Sequence, residues 1–199
     1  LNGLRESLEA VKAAAAIGQG IQNDQPVWKS SPSETIVTLS EAEAKAALSH
    51  SGLTVPAARV VSFDNIDNQG DFPFPAVLKA QGLAHKSDAG GVALNLTSLD
   101  AVKSEAQNMG RDSFLMEQMI TGAVCEILIG VVADPAHGFV LTLAAGGVMT
   151  EILKDSTTLV LPVTPQDVTE AFQRLKIAPI LNGYRGQPAA DMAALVDAV

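Results

Sequence analysis

The chain is poor in aromatic residues, cysteine and positive charge. Its 199 residues hold one Cys, one Trp and one Tyr, and aromatics make up 4% of it. A single cysteine excludes a disulfide framework and a zinc site built on cysteine pairs. Cys125 lies inside the apolar run 123–129 and reads as a small buried residue. Thirteen basic residues face 22 acidic ones, a formal net charge of −9. That balance excludes the broad basic footprint that nucleic-acid binding needs. An anionic ligand is left only where lysines and main-chain N–H groups gather locally. No apolar run is long enough to span a bilayer, and no basic stretch followed by an apolar one opens the sequence. The expectation is a cytoplasmic protein without membrane or nucleic-acid partners.

What the chain does have is Ala, Val and Leu in quantity, 47% apolar residues, 16 Gly and 10 Pro. Disorder and fibrous structure are excluded, and an α/β protein with many short loops is indicated. The length suits one large domain or two small ones.

Leu1, Leu4, Leu8, Val11 and Ala15 recur at three- and four-residue spacings, which predicts a helix ending near Gly18 or Gly20. Residues 21–38 are mostly polar, hold two prolines and show no period, so they read as a linker. A lone helix on a linker has no core of its own, and residues 1–20 are expected to be the tail of a preceding domain. Trp28, in the linker, is expected to pack on a neighbour. The main domain, 39–199, opens with Ser40 and Glu43 in a capping-box spacing and an Ala-rich helix to about His50. Strands are predicted over 57–63, 75–80, 91–96, 114–119, 123–133, 139–145 and 157–162, with a helix over 98–109. A further helix has Thr164 as cap and Pro165 at its first position, and a last one begins near Pro188. Mixed elements with consecutive strands from 113 to 163 mean α/β (α+β) with much antiparallel sheet.

Four segments are able to carry chemistry. The strand Pro75–Ala80 is apolar except for Lys79, and a charge there needs a partner or a ligand; it is a fixed counter-charge for a phosphate, or an edge lysine whose stem reaches out to water. The loop 82–92 combines Gly82, His85, Lys86, Ser87, Gly90 and Gly91. Its glycines allow close backbone approach to an anion, Lys86 and Ser87 donate to it, and His85 is placed to relay a phosphoryl group. The plainer reading is a polar hairpin, and the order of a Walker A loop is absent. Glu117 and Glu126, nine residues apart on successive strands, suit ribose hydroxyls or Mg²⁺, or are solvated strand-end charges. The fourth segment, 144–155, holds Gly146-Gly147, Glu151 and Asp155, and its glycine pair is equally a tight turn. His50 and His137 are expected to face solvent.

Taken together, PAVLKA (75–80), HKSDAGGV (85–92), the pair Glu117 and Glu126, DPAHG (134–138), AAGGVMTEILKD (144–155) and LNGYRG (181–186) resemble the ATP-grasp part of the NDP-forming acyl-CoA synthetases. These are acetate–CoA ligase (ADP-forming)-like enzymes, distantly related to the succinyl-CoA synthetase β-subunit. The resemblance covers about Leu39–Val199 with the motif order kept. It implies an ATP-grasp fold with mixed sheets and packed helices. It also implies an acid–thiol ligase that makes acyl-CoA from a carboxylic acid, CoA and ATP, reversibly, with ADP and phosphate released. ATP or ADP and Mg²⁺ are the implied cofactors, and the CoA-binding and CoA-ligase domains of the same enzyme, in a homo-oligomer, the implied partners. By position, Lys79 matches the strand lysine on the nucleotide phosphates. Lys86, Ser87, Gly90 and Gly91 match the loop covering them, and His85 the phosphoryl-carrying histidine of a phosphohistidine relay. Glu117 with Ile120 just beyond matches the adenine-receiving hinge, and Glu126 the acidic residue near ribose and metal. Glu151 and Asp155 are the implied metal ligands. The family closes this domain with an E/D-I-N-P-L segment and a D-A-R strand. Nothing after Asp191 reads that way, so the domain is expected to lack its C-terminal strands. Related domains also serve as regulatory or inactive modules in protein-lysine acetyltransferases, and a non-catalytic assembly domain is a further alternative.

Overall fold

A computed structural model describes residues 3–18, 26–29, 37–82, 90–147 and 149–199. The first apolar stripe folds as α1 (Leu4–Gly18), with Leu4, Leu8 and Val11 exposed. The described parts of the linker form neither helix nor strand, yet residues 26–29 are fastened. The Trp28 N–H donates to the Leu161 carbonyl at 3.1 Å, and the Trp28 carbonyl accepts from the Phe139 N–H at 3.0 Å. The neighbour of Trp28 is thus main chain, and its side chain stays exposed. Gly138 makes this seat possible: it has φ +80, and a Cβ there would lie 2.3 Å from the Trp28 carbonyl oxygen.

Ser40 and Glu43 close a capping box on α2 (Glu41–His50), as their spacing predicts. No residue of α2 is buried. The first sheet contains β1 (Ala58–Ser62), β2 (Ala76–Ala80), β3 (Val92–Leu96) and β4 (Ser113–Gln118), in the order β1-β4-β2-β3 with every neighbour antiparallel. A 3-10 helix over Phe63–Asn68 follows β1; β-strand periodicity carried no sign of it. Helix α3 (Leu99–Met109), capped by Ser98 and ended by Gly110 at φ 60, buries Val102 and Ala106. They meet Val61, Ile66, Leu78, Phe114 and Met116 in one core on a single face of the sheet.

The second sheet, also antiparallel, runs β5-β6-β7: β5 (Ile127–Asp134), β6 (Gly138–Ala145) and β7 (Ser156–Val160). Helix α4 (Met149–Leu153) bridges β6 and β7. Thr164 and Pro165 open α5 (Pro165–Arg174), whose Val168, Ala171 and Phe172 join Leu141 and Leu143 in a second core. Helices α6 (Ala178–Leu181) and α7 (Met192–Asp197) complete that layer.

Two expected boundaries move. The strand predicted from 123 begins at Ile127, because the β5–β6 ladder runs out where the Glu126 carbonyl accepts the Gly146 N–H. The last helix begins at Met192, not near Pro188. Asp191 caps it through the Ala194 N–H, and Ala190 before it is tied back to the Leu181 carbonyl. Among the described residues no helix is long and apolar enough to cross a membrane.

Candidate functional site

Strand β2 is central in its sheet, and alternation along it separates two chemistries. Ala76, Leu78 and Ala80 enter the α3 core, so Val77 and Lys79 point to the opposite face. On neighbouring β4, Leu115 stands opposite Lys79, and Glu117 stands opposite Val77. Lys79 and Glu117 are therefore diagonal neighbours on one face, and their side chains meet at 2.8 Å.

Helix α2 lies over that face and adds two charges one turn apart, Glu41 and Lys45. The Lys79 ammonium donates to Glu41 Oε1 at 2.5 Å as well as to Glu117 Oε2. Lys45 donates to Glu41 Oε1 at 2.9 Å and to Glu117 Oε1. Each cation thus touches both carboxylates. Glu117 is buried, at 6% side-chain exposure, while Lys79 and Lys45 keep 22% and Glu41 28%. A carboxylate this deep is tolerable only because it is paired and hydrogen-bonded on both oxygens. Burial pushes the Lys79 pKa down, but the hydrogen bonds and charges of Glu117 and Glu41 outweigh it and hold the ammonium above its ordinary value. Lys79 is a fixed cation at any physiological pH. Its ammonium has three donors, and the two carboxylates engage two of them. Sequence reasoning singled out Lys79 and Glu117 but missed Glu41 and Lys45. Their i,i+4 spacing was the available signal, and it reads equally as an ordinary surface pair.

Beyond Lys79 the chain leaves β2 through Gln81 and Gly82 and returns through Gly90 and Gly91, where the Ala80 N–H donates to the Gly91 carbonyl. Gly82 and Gly90 adopt φ +77 and +66 with open space around a built Cβ, so the backbone path rather than packing calls for glycine at both ends. His85, Lys86 and Ser87 lie outside the described residues.

At the far end of β4, the Gln118 and Met119 N–H groups donate to the Ala57 and Pro75 carbonyls. The chain then crosses to the second sheet past Ile120, which is exposed. Glu126 stands at the start of β5 against Gly146-Gly147. A Cβ on Gly146 would lie 3.0 Å from the Glu126 backbone, and one on Gly147 would lie 1.8 Å from Glu126 Oε2. The glycine pair is what lets that carboxylate lie down on the β6–α4 turn. Gly147 has φ +60 besides. Gly147→Ala is expected to displace the Glu126 carboxylate and to cost about 1 kcal/mol from backbone strain alone; denaturant unfolding and a crystal structure of the variant check both effects. Beside Glu126 is a cavity of about 270 Å³ that Cys125 also lines. Cys125 is partly rather than fully buried, and burial pushes its thiol pKa up. It is expected to react with a maleimide much more slowly in the native chain than in the unfolded one.

The two metal candidates of the fourth segment part company. The Glu151 backbone lies in α4, and its side chain is outside the described residues. Asp155 is buried, and its two oxygens accept the main-chain N–H groups of Lys176 and Ile177 at 2.8 and 3.0 Å. That carboxylate fastens the turn between α5 and α6. Among the described residues no three His, Cys, Asp or Glu side chains gather as a metal site. His50 and His137 are exposed, the latter bonded to Asp134 in the β5–β6 turn.

The ATP-grasp domain family model matches residues 31–199. The chain is 31% identical over 175 residues to the β-subunit of acetate–CoA ligase (ADP-forming) I of Pyrococcus furiosus, covering 81% of this chain and 75% of that subunit. It is 40% identical over 139 residues to a trans-feruloyl-CoA synthase from an unknown prokaryotic organism, but spans only 20% of that longer protein. Among solved structures it is similar to the dinucleotide-forming acetyl-coenzyme A synthetase 1 of Ca. Korarchaeum cryptofilum. The TM-score is 0.68 at 31% identity, with 79% of this chain and 73% of the other covered. That structure holds coenzyme A and Mg-AMPPCP, with its phosphohistidine segment pointing towards the nucleotide binding site.

Proposed function

The chain belongs to the ATP-grasp domain family, in the branch of the ADP-forming acetate–CoA ligase β-subunits, and on that premise we propose that it is the nucleotide-binding part of an acyl-CoA synthetase. The reaction of the whole enzyme joins a carboxylic acid and CoA at the expense of ATP, releasing ADP and phosphate, and runs in both directions. CoA-binding and CoA-ligase domains hold the acyl group and the thiol, and α1 with the linker is the tail of the domain before this one.

The observation that carries this reading is Lys79, a cation fixed on a central strand, oriented by two carboxylates and still open to solvent. A fixed cation beside a glycine-bounded loop fits a polyphosphate. In this reading Lys79 holds the nucleotide phosphates, and Lys86, Ser87, Gly90 and Gly91 cover them. Glu117 on β4, and Ile120 just beyond it on the crossing to the second sheet, border the base. Glu126, whose carboxylate the Gly146-Gly147 turn receives, suits a ribose hydroxyl or a hard cation. Glu126 and Glu151 are the residues that would hold Mg²⁺, and Asp155 drops out because its oxygens accept main-chain N–H groups. When bound, Mg²⁺ neutralises phosphate charge. The protein's share of the rate is positioning.

His85 carries the phosphoryl group. A ring nitrogen attacks the phosphorus of an acyl phosphate, the carboxylate leaves, and the N–P bond then breaks as a terminal oxygen of ADP takes the group; the reverse sequence uses ATP. In the complete ligase, His85→Ala is expected to abolish turnover and to leave ATP binding nearly unchanged. Wild-type enzyme incubated with Mg·ATP should carry an acid-labile phosphate on the loop 82–92. Turnover retained by His85→Ala removes the relay, and failure of the wild-type enzyme to bind ATP or ADP in a calorimeter overturns the reading as a whole.

A further inference from the structure

Among the described residues, the four charges that meet at this face come from two places: Lys79 and Glu117 belong to the sheet, Glu41 and Lys45 to α2. Their formal charges cancel, and each cation is hydrogen-bonded to both anions. A phosphate approaching Lys79 therefore meets a cation already balanced by neighbouring carboxylates. No residue of α2 is buried, and Glu41 and Lys45 are among its half-buried ones.

We propose that Glu41 and Lys45 are positioning residues of opposite electrical effect, which set how much of the Lys79 charge a bound anion receives. The proposal rests on the nucleotide reading above, and the anion it concerns is the phosphate chain of a nucleoside di- or triphosphate. Glu41 competes with that chain for the Lys79 ammonium. Lys45 works the other way: it satisfies Glu117 Oε1 and relieves Lys79 of part of the Glu117 charge. The helix thus trims the affinity of the site from both sides. A cation left fully unbalanced would hold the product nucleotide as tightly as the substrate, and uniform tight binding does not speed turnover.

The two residues make predictions of opposite sign, which a merely structural helix does not. In the complete ligase, Glu41→Gln should tighten ADP and ATP binding roughly fivefold, since a unit negative charge a few ångströms from the phosphates is removed in a partly screened site. Lys45→Met should weaken it by roughly the same factor, Glu41→Gln/Lys45→Met should return towards wild type, and Lys45→Arg should stay close to it. All of these shifts should shrink as salt is raised. Calorimetry gives the affinities, and thermal melts verify that each variant is folded.

A second measurement needs no nucleotide. The rate at which acetic anhydride acetylates Lys79, read by mass spectrometry at one mildly alkaline pH, reports how firmly its proton is held. Glu41→Gln should raise that rate several-fold and Lys45→Met should lower it or leave it unchanged. Weakened binding in both single variants, or a Lys79 acetylation rate indifferent to Glu41→Gln, overturns the proposal. A wild-type enzyme that binds no nucleotide sinks the functional reading instead, and the acetylation rates then decide the charge balance alone.

Discussion

Replacing Lys79 by alanine is expected to lower nucleotide affinity of the complete ligase by roughly 10- to 100-fold, the worth of one charge-assisted hydrogen bond of about 1.5–3 kcal/mol in a partly shielded site. The loss has two sources. The phosphates lose a cation that β2 holds in place, and Glu117 keeps only one of its two ammonium partners. The second source also acts on the empty protein. Stripping one partner from a buried carboxylate is destabilising, but Lys45 stays bonded to Glu117, so the loss of stability should be well below the 3–5 kcal/mol typical of a fully orphaned buried charge. Calorimetry with Mg·ADP gives the first effect and urea unfolding the second. Equal nucleotide affinity in wild type and Lys79→Ala would take Lys79 out of the site, whatever happens to stability.

The largest stability effect is expected at Asp155. Its buried carboxylate serves the Lys176 and Ile177 N–H groups where α5 gives way to α6, and the bond to Ile177 is buried while that to Lys176 is partly so. Asp155→Ala leaves two main-chain donors without their acceptor, a loss of about 2–4 kcal/mol on the scale of hydrogen bonds to charged groups. For a domain of this size the melting temperature should fall by about 5–15 °C. Asp155→Asn keeps one carbonyl oxygen and should lose about half as much. Below the melting transition both variants should bind Mg·ADP like wild type. The opposite pattern, normal melting with weakened Mg²⁺-dependent binding, would return Asp155 to the metal ligands.

The two carboxylates of the fourth segment mark the limit of sequence reasoning. Glu151 and Asp155 share a motif, and spacing alone gives them the same standing. What divides them is which donors the fold brings near, and the α5–α6 turn that meets Asp155 begins 21 residues further along the chain. Glu126 and Gly146-Gly147 show the same limit from the other side. Each was noticed separately, and only the register of β5 on β6 places the carboxylate over the glycines. Glu41 and Lys45 went unnoticed because an i,i+4 pair on an Ala-rich helix is indistinguishable from many surface pairs until the face it covers is known.

Several local signals, by contrast, were legible. The capping box of Ser40 and Glu43, and Thr164 with Pro165 at the start of α5, each involve residues within four positions of one another. The alternation of β2 likewise declares Lys79 a charge in an apolar strand before any partner is known. The sequence by itself determined that the seven strands and helices α1, α2, α3, α5 and α7 would form, though not α4, α6 or the 3-10 helix, that Lys79 needed a counter-charge, and that the motif order was that of an ATP-grasp domain. The tertiary structure alone decided which counter-charges answered it. Antiparallel pairing of β2 with β4 set Glu117 diagonally beside Lys79, and the seat of α2 brought Glu41 and Lys45 from more than 30 residues away in the chain. Long-range electrostatic partners are fixed by strand register and helix docking, and neither quantity is written in any one stretch of residues.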